Sequence, residues 1–320
     1  MKILVTGGAG FIGSHTVDAL LGRGDSVVCV DNLNDYYPPA IKKSNISVFL
    51  GNKKFKFYKN DITDYGAMAK IFKKEAFDAV CHLAARAGVR PSIENPFIYE
   101  EVNIRGSLNL LELARLNGIG NFVLASSSSV YGNSRKIPFS ETDNVDNPIS
   151  PYAATKKAVE LLAHNYFHLY GLNCTCLRFF TVYGPSGRPD MAPFLFTDAI
   201  YRGREIKKFG DGTSKRDYTY VSDIVKGVAA ALDKKLGYEV INLGNNSPVE
   251  LNKFIAVIEG VLGKKALIKQ LPKQPGDVDV TYADIAKAKK LLGYSPVVTV
   301  EDGMKKFIAW YLEKNRMRQK

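Results

Sequence analysis

Residues 3–13 read Ile-Leu-Val-Thr-Gly-Gly-Ala-Gly-Phe-Ile-Gly, an apolar run that enters a glycine-rich turn and continues as a helical pattern. We expect Gly7 to permit the sharp turn out of the strand, Gly10 to let a pyrophosphate approach the backbone, and Gly13 to let the helix pack close to the strand. The N-terminus of that helix would present free N–H groups and a positive dipole end to the phosphates. This stretch predicts a dinucleotide-binding unit.

A second apolar run, residues 28–30, ends at Asp31, which lies 18 residues after Gly13. A carboxylate at this strand end can accept hydrogen bonds from both ribose hydroxyls and would repel a 2′-phosphate. Asp31 therefore favours NAD over NADP. The alternative is a structural turn with a helix-capping aspartate.

Strands and helices alternate through the first half of the chain. Apolar runs predict strands at residues 2–6, 26–31, 54–60, 78–83, 121–126 and 173–180. Helical patterns occupy about 11–23, 64–75, 97–117 and 151–170. This alternation predicts an α/β fold, a Rossmann-type doubly wound parallel sheet with helices on both faces. We assign residues 1–180 to this NAD-binding domain, with a return segment at about 216–245.

The pattern changes after about residue 181. Prolines and glycines follow closely, at Pro185, Gly187, Pro189 and Pro193. Helical patterns then recur near 193–203, 250–262, 284–291 and 301–316. We interpret residues 181–215 and 246–320 as a smaller, discontinuous α/β lobe that binds the substrate.

Composition limits the possible partners. The chain of 320 residues has a net charge of +12, from 44 basic and 32 acidic residues. The lysines are scattered in short pairs, so we expect no nucleic-acid partner, although positive potential could attract an anionic substrate. No apolar run reaches the roughly eighteen residues of a membrane helix, and no signal peptide precedes the first strand. We expect no membrane partner and a cytoplasmic location.

Cysteine and histidine spacing argues against a metal site. The cysteines are Cys29, Cys81, Cys174 and Cys176. They lie in apolar, strand-like segments and are expected to be buried, reduced thiols. His164 and His168 are four positions apart but have no evident third ligand, so we expect an exposed face or a subunit contact there.

Residues 151–156, Pro-Tyr-Ala-Ala-Thr-Lys, open a helical pattern with two groups suited to proton transfer. Tyr152 and Lys156 are four positions apart, so they face the same way. A nearby ammonium would lower the pKa of the tyrosine from its reference value of about 10. Such a tyrosine can remove a proton from a sugar hydroxyl while the carbon gives its hydride to nicotinamide. Residues 125–132 precede it with four serines, which could bind substrate oxygens, relay a proton or form a capping turn.

These features resemble the extended short-chain dehydrogenase/reductase family over nearly the whole chain. Longer segments are similar to UDP-glucuronate 4-epimerases: residues 32–37 (Asn-Leu-Asn-Asp-Tyr-Tyr), 87–90 (Ala-Gly-Val-Arg), 126–132 (Ser-Ser-Ser-Ser-Val-Tyr-Gly), 178–185 (Arg-Phe-Phe-Thr-Val-Tyr-Gly-Pro) and 187–192 (Gly-Arg-Pro-Asp-Met-Ala). The resemblance implies NAD as cofactor, a UDP-sugar as substrate, and a homodimer formed through the helices near 97–117 and 151–170.

The resemblance assigns roles by position. Tyr152 would be the general base and acid, Lys156 its pKa tuner and a ribose ligand, and Ser127 a bridge to the C4 oxygen. The residues expected to bind NAD are Gly7, Gly10, Phe11, Ile12, Gly13, Asp31, Asn32, Asn34, Asp61, Ile62, Leu83, Ala84, Ala85, Asn103, Tyr152, Lys156 and Phe180. The residues expected to bind the sugar nucleotide are Arg90, Ser127, Ser128, Ser129, Tyr152, Thr181, Arg188, Arg216 and Asp277.

Two segments depart from the patterns of related enzymes. Arg86 stands where a neutral residue is expected, and it could bind the substrate carboxylate, bind phosphate or point to solvent. Residues 274–277, Gln-Pro-Gly-Asp, lack an arginine that many UDP-galactose epimerases place there. Within this segment Asp277 would lie near the uridine ribose, while Arg216 would meet the diphosphate.

The reaction implied is the 4-epimerisation of UDP-glucuronate to UDP-galacturonate, through hydride transfer from C4 to tightly bound NAD and a 4-keto sugar. Thr181 would lie near C6 and favours the uronic acid over UDP-glucose/UDP-galactose, the alternative substrate pair, because the galactose enzymes usually carry Asn there. Ser128 and Ser129 replace an Asp-Glu pair of 4,6-dehydratases, which disfavours dehydration. A nucleotide-sensing binding protein is the alternative outside the enzymes.

Overall fold

The computed structural model describes residues 1–273 and 279–319. Its strands are β1 (Lys2–Thr6), β2 (Ser26–Asp31), β3 (Phe55–Lys59), β4 (Ala79–His82), β5 (Asn121–Ser127), β6 (Cys174–Phe179), β7 (Thr181–Tyr183), β8 (Glu205–Phe209), β9 (Lys215–Tyr220), β10 (Tyr238–Leu243), β11 (Pro248–Glu250), β12 (Leu267–Leu271) and β13 (Val280–Thr281). Its α-helices are α1 (Phe11–Gly22), α2 (Pro39–Ser47), α3 (Tyr65–Glu75), α4 (Val89–Glu94), α5 (Pro96–Tyr99), α6 (Gly106–Leu116), α7 (Pro151–Tyr170), α8 (Ala192–Tyr201), α9 (Val221–Leu232), α10 (Leu251–Leu262), α11 (Ala286–Leu292) and α12 (Val300–Gln319).

Seven parallel strands form the main sheet, in the order β10-β6-β5-β4-β1-β2-β3. The predicted doubly wound parallel sheet is confirmed. The strand order reverses between β1 and β4, so the connections that leave these two strands diverge. A crevice opens at the carboxyl ends of the strands at such a point.

Both faces of the main sheet are covered because side chains alternate along its buried strands. Ile3 and Val5 pack with Val17 and Leu20 of α1 on one face. Leu4 packs on the other face, in a cluster that includes residues of α3, α6 and α7. Each aliphatic side chain buried in this way contributes roughly 1.5–3 kcal/mol. The predicted helices on both faces are therefore confirmed.

The helix predicted over residues 97–117 is interrupted. It consists of α5, a single π-helical turn at Glu100–Arg105, and α6. At the start of α6 a Cβ on Gly106 would lie 2.6 Å from Ile62 Cδ1, so the helix approaches the loop after β3 closely at this point. π-Helical turns of this kind often occur at functional sites.

The chain leaves the main sheet after β6 and enters a smaller one. There β9 pairs with β7, β11 and β13, while β8 and β12 form a separate parallel pair. The buried Asp217 carboxylate on β9 ties this region together, since it accepts hydrogen bonds from the backbone of Asn245 (2.7 Å) and Ala283 (2.9 Å). The predicted return segment divides between the two sheets. Its helix α9 packs on the main sheet and its strand β10 joins that sheet, whereas β9 belongs to the smaller sheet.

Among the described residues we find no helix with both the length and the apolar character that crossing a bilayer requires.

Candidate active site

One long cleft, with a volume of about 410 Å³, opens at the carboxyl ends of the central strands. It is lined by sixteen of the residues that the sequence assigns to NAD: Gly7, Gly10, Phe11, Ile12, Gly13, Asp31, Asn32, Asn34, Asp61, Ile62, Leu83, Ala84, Ala85, Tyr152, Lys156 and Phe180. It is also lined by the predicted sugar contacts Ser127, Ser128, Ser129, Thr181 and Arg188. The fold therefore brings most of the two predicted sets into a single cavity.

The glycine turn has the geometry that its sequence predicts. Gly7 has a φ of +69°, and a Cβ on it would lie 2.7 Å from the backbone of Ala84, so the position requires glycine. A Cβ on Gly13 would lie 2.1 Å from the Gly7 carbonyl oxygen, so α1 can pack against the turn only with glycine there. Gly10 is the N-cap of α1 and supplies no side-chain cap, which leaves the first helical N–H groups for a ligand in the cleft.

Two carboxylates stand where the second and third strands end. Asp31 is buried and accepts hydrogen bonds from the backbone N–H groups of Leu33 (2.8 Å) and Ala9 (3.2 Å). Burial raises the pKa of Asp31, and these hydrogen bonds offset part of that effect. Asp61 accepts a hydrogen bond from the Asn32 side chain at 2.6 Å. Both carboxylates are thus held in fixed orientations at the edge of the cleft.

Tyr152 lies in the first turn of α7, facing the end of β5. Burial raises the pKa of its phenol, whereas a hydrogen bond with Ser127 and the positive charge of Arg188 lower it. Lys156 is buried one turn further along, where desolvation lowers its pKa to about 8. Its Nζ donates a hydrogen bond to the Ala125 carbonyl oxygen at 2.7 Å. The effect of Lys156 on the pKa of Tyr152, which the sequence leads us to expect, remains a prediction, and Arg188 is a second cation that lowers this pKa.

The serine run forms the capping turn that is one of the roles weighed for it, and its roles toward the substrate remain predictions. Ser127 ends β5 and caps a 3₁₀ turn at Ser128–Tyr131. Its Oγ accepts a hydrogen bond from the Ser129 backbone N–H (3.2 Å) and donates one to Ser129 Oγ (3.1 Å). The cap fixes the Ser127 hydroxyl beside the phenol of Tyr152, and β7 begins at Thr181 on the same cleft.

Comparison with known proteins agrees with this geometry. Residues 3–244 match the NAD dependent epimerase/dehydratase family. The chain belongs to this family.

Individual relatives match over nearly the full chain. UDP-glucuronate 4-epimerase of Thermodesulfobacterium geofontis is 50% identical over 311 residues, which cover 97% of this chain and 96% of the relative. UDP-glucuronate 4-epimerase 4 of Arabidopsis thaliana is 49% identical over 331 residues, covering 98% and 75% of the two chains. A crystal structure of Bacillus cereus UDP-glucuronic acid 4-epimerase with UDP-glucuronic acid and NAD is 38% identical, has a TM-score of 0.92 and matches over 98% of this chain and all of that one. Thermotoga maritima UDP-glucose 4-epimerase with UDP-glucose is 36% identical, with a TM-score of 0.91 and the same coverage.

The cleft fits the NAD on which this family depends. Gly10, the N-cap of α1, carries no side chain on the cleft, so a phosphate-bearing ligand can approach the turn closely there. The uncapped N-terminus of α1 offers N–H donors to a pyrophosphate, and Asp31 offers an acceptor to ribose hydroxyls. Tyr152 and Lys156 line the same cleft beside β5, so the nicotinamide ribose would be bound on that side of the glycine turn.

One residue assigned to NAD supports the cleft instead of lining it. Asn103 is buried in the π-helical turn, and its Oδ1 accepts a hydrogen bond from the Arg86 backbone N–H at 2.8 Å. Its Nδ2 donates to the Arg86 carbonyl oxygen and to Thr155 Oγ1, both at 3.0 Å. Asn103 thus fixes the segment after β4 against α7, the helix that carries Tyr152.

Arg86, the residue that departs from the family pattern, faces the loop after β2. Its guanidinium lies 5.4 Å from the centroid of the Tyr36 ring, and Nη1 lies 3.5 Å from Asn34 Oδ1. Arg188 approaches the same ring at 5.1 Å and donates a hydrogen bond from Nη2 to the Tyr36 hydroxyl at 3.1 Å. Tyr36, in the loop after β2, therefore contacts Arg188, the arginine whose charge acts on Tyr152.

Tyr36, Tyr37 and Lys42 are among the residues of the cleft that the sequence does not assign to a ligand. Tyr36 and Tyr37 stand inside the Asn-Leu-Asn-Asp-Tyr-Tyr segment that carries the resemblance, which was the signal that could have identified them. Lys42 lies on α2 outside any quoted motif, and its Nζ donates to the Asn34 backbone carbonyl at 2.9 Å.

Three predicted sugar contacts, Arg90, Arg216 and Asp277, are not among the described residues that line the cleft. Arg90 is exposed, with its guanidinium 5.7 Å from the centroid of the Phe209 ring. Arg216 lies on β9 and donates a hydrogen bond to the Lys215 carbonyl oxygen at 3.0 Å. Asp277 falls outside the described residues. Their roles toward the diphosphate and the uridine remain predictions.

Proposed function

We propose that this protein catalyses the NAD-dependent 4-epimerisation of UDP-glucuronate to UDP-galacturonate. The observation that carries the proposal is the position of the Tyr152 phenol, which lines one cleft together with Ser127, Ser128, Ser129 and Thr181. The T. geofontis, A. thaliana and B. cereus relatives bear the name of this activity.

The proposed chemistry needs one proton-transfer group beside C4 of the sugar. When bound, NAD supplies a reversible acceptor for the C4 hydride. Tyr152, as the phenolate, takes the proton of the C4 hydroxyl and later returns it, and the Ser127 hydroxyl orients that oxygen. Arg188 stabilises the phenolate by its charge, while Lys156 holds the end of β5 through Ala125. The UDP group must stay bound while the 4-keto sugar turns its other face to the cofactor.

The substrate is distinguished at C6. Neutral hydroxyls of Ser128, Ser129 and Thr181 can donate hydrogen bonds to a carboxylate, which suits a uronic acid. UDP-glucose/UDP-galactose 4-epimerisation is the second candidate, favoured by the structural likeness to the T. maritima enzyme. Dehydration is disfavoured, because serine hydroxyls cannot replace an acid pair as general acid and base near neutral pH. A proton-transfer group such as Tyr152 beside the Ser127 hydroxyl is typical of an enzyme and disfavours a binding protein without turnover.

The activity is tested by incubating the purified protein with UDP-glucuronate and, separately, UDP-glucose, with no NAD added, and resolving the C4 epimers. We expect UDP-galacturonate to form from UDP-glucuronate, because the cofactor is regenerated in each cycle and should stay bound. Conversion of UDP-glucose alone would select the second candidate. Conversion of neither, with NAD present in the protein, would refute an epimerase.

We also propose that the protein is a homodimer formed through α6 and α7. These helices pack side by side and expose large apolar side chains, among them Leu116 (55% exposed), Leu161 (58%) and Leu169 (56%). Several large apolar side chains exposed on two neighbouring helices are typical of a contact surface, and in a two-fold dimer the same surface from each subunit would meet. Because α7 carries Tyr152, such a contact would brace the catalytic helix.

Substitution of Leu161 by Glu should convert the dimer to a monomer, because the charge would be buried in an apolar contact. Sedimentation velocity measures the change. Leu195→Glu is the matched control, since Leu195 is similarly exposed (50%) but lies on α8. A wild-type protein that sediments as a monomer at micromolar concentration would contradict the proposal.

A further inference from the structure

Tyr37 carries a buried hydroxyl that nothing in the described protein satisfies. Only 8% of the residue is exposed, and its hydroxyl oxygen has no hydrogen-bond partner among the described residues. Buried polar groups are nearly always paired, so an orphaned group is a signal of a missing ligand or water. The other buried side-chain atoms in this state, on Asn121, Thr175 and Thr197, belong to residues away from the cleft lining, whereas Tyr37 forms part of that lining.

The hydroxyl lies next to the glycine turn. A Cβ placed on Gly10 would stand 3.8 Å from the Tyr37 hydroxyl oxygen and 3.1 Å from the Gly7 carbonyl oxygen. Gly10 is also the N-cap of α1, whose first N–H groups have no side-chain cap. The phenol and the helix N-terminus therefore face the same part of the cleft, and both present hydrogen-bond donors to it.

The surroundings of Tyr37 favour a negatively charged ligand. Burial raises the pKa of Tyr37 well above its usual range, and the charge of Asp31 raises it further, so the hydroxyl keeps its proton and acts as a donor. Lys42 is buried beside it, with Nζ 4.8 Å from the centroid of the ring. A protonated phenol close to an ammonium and to backbone N–H groups matches the chemistry of a diphosphate.

We propose that the Tyr37 hydroxyl donates a hydrogen bond to the pyrophosphate of NAD and, with the N-terminus of α1, completes its binding site. Asp31 binds the ribose through acceptor atoms, whereas Tyr37 supplies a donor, so the two residues serve different parts of the cofactor. The proposal rests on NAD binding alone and is independent of the identity of the sugar.

The test is the affinity of Tyr37→Phe for nucleotides. Phenylalanine keeps the ring and its packing against Lys42, so the variant removes only the hydroxyl. Calorimetric titration of nucleotide-freed protein should show NAD binding weakened about tenfold to a hundredfold, the usual effect of losing a hydrogen bond to a charged group. Adenosine, which has no phosphate, should bind wild type and variant equally. NAD should also dissociate correspondingly faster from the purified holoprotein.

Thr175→Val is the matched control, because it removes an equally orphaned buried hydroxyl from β6, outside the cleft. Its affinity for NAD should equal that of wild type, and thermal unfolding without nucleotide should show neither variant destabilised, since each loses an unpaired polar group. An NAD affinity of Tyr37→Phe within twofold of wild type would overturn the proposal. An equal loss of adenosine affinity would overturn it too, because the role would then lie at the adenosine end of the cleft.

Discussion

Tyr152→Phe should retain bound NAD but convert UDP-glucuronate about a thousandfold more slowly than wild type. The substitution keeps the ring and removes the hydroxyl that exchanges a proton with the C4 oxygen. General acid–base catalysis by a positioned side chain contributes roughly 10²- to 10⁴-fold to a rate. The glycine turn and Asp31 are untouched, so the cofactor should remain. Single-turnover epimer formation, with NAD content measured on the same sample, separates the two effects.

Tyr99→Phe provides the control for this experiment. The Tyr99 ring lies edge-on to that of Tyr152, with centroids 6.2 Å apart, but its hydroxyl donates to the Ala87 carbonyl oxygen at 2.7 Å. It should lose less than about tenfold in rate, in keeping with a packing role. If Tyr152→Phe also remained within tenfold of wild type, another group would have to be the base.

The parts of the site that could be predicted are those whose chemistry is local in sequence. The unbroken apolar run Ile3-Leu4-Val5 predicts a strand buried on both sides, and Gly13 is required by its contact with the Gly7 backbone in the same turn. The spacing of Tyr152 and Lys156 likewise follows from one helical period. Such features can be predicted because the constraint that requires them lies within a few residues of sequence.

The parts that could not be predicted depend on contacts between distant segments. Arg188 meets Tyr36 across 152 positions of sequence, because the segment between β7 and α8 folds against the loop after β2. The Lys156 ammonium is directed toward the Ala125 carbonyl oxygen on β5 by a hydrogen bond. The helical spacing of Tyr152 and Lys156 gives no information about this contact. Asn103 was assigned to the cofactor by position, but the π-helical turn directs it to the backbone of Arg86.

A buried ion pair beneath the catalytic helix carries the largest expected effect on stability. Arg178 on β6 is 2% exposed and Glu160 on α7 is fully buried. Arg178 Nε and Nη2 each donate to a carboxylate oxygen of Glu160 at 2.8 Å. Ser126, next to Ser127 on β5, donates to the same carboxylate at 2.6 Å. The pair therefore joins the helix that carries Tyr152 to the two strands whose ends form the site.

Arg178→Met should lower the free energy of unfolding by about 3–5 kcal/mol, because the buried Glu160 carboxylate loses its bidentate partner and keeps only the Ser126 hydrogen bond and the Lys157 ammonium at 3.9 Å. Urea unfolding at neutral pH measures the loss. The double variant Arg178→Met, Glu160→Gln should be less destabilised than Arg178→Met alone, since removing both charges avoids the uncompensated one.

Arg202→Met is the control for this experiment. Arg202 pairs with Asp198 at 2.8 Å on the surface, where solvent screens the interaction, so its loss should shift the unfolding midpoint far less. Equal midpoints for Arg178→Met and Arg202→Met would mean that the buried pair contributes nothing to holding α7 against β5 and β6.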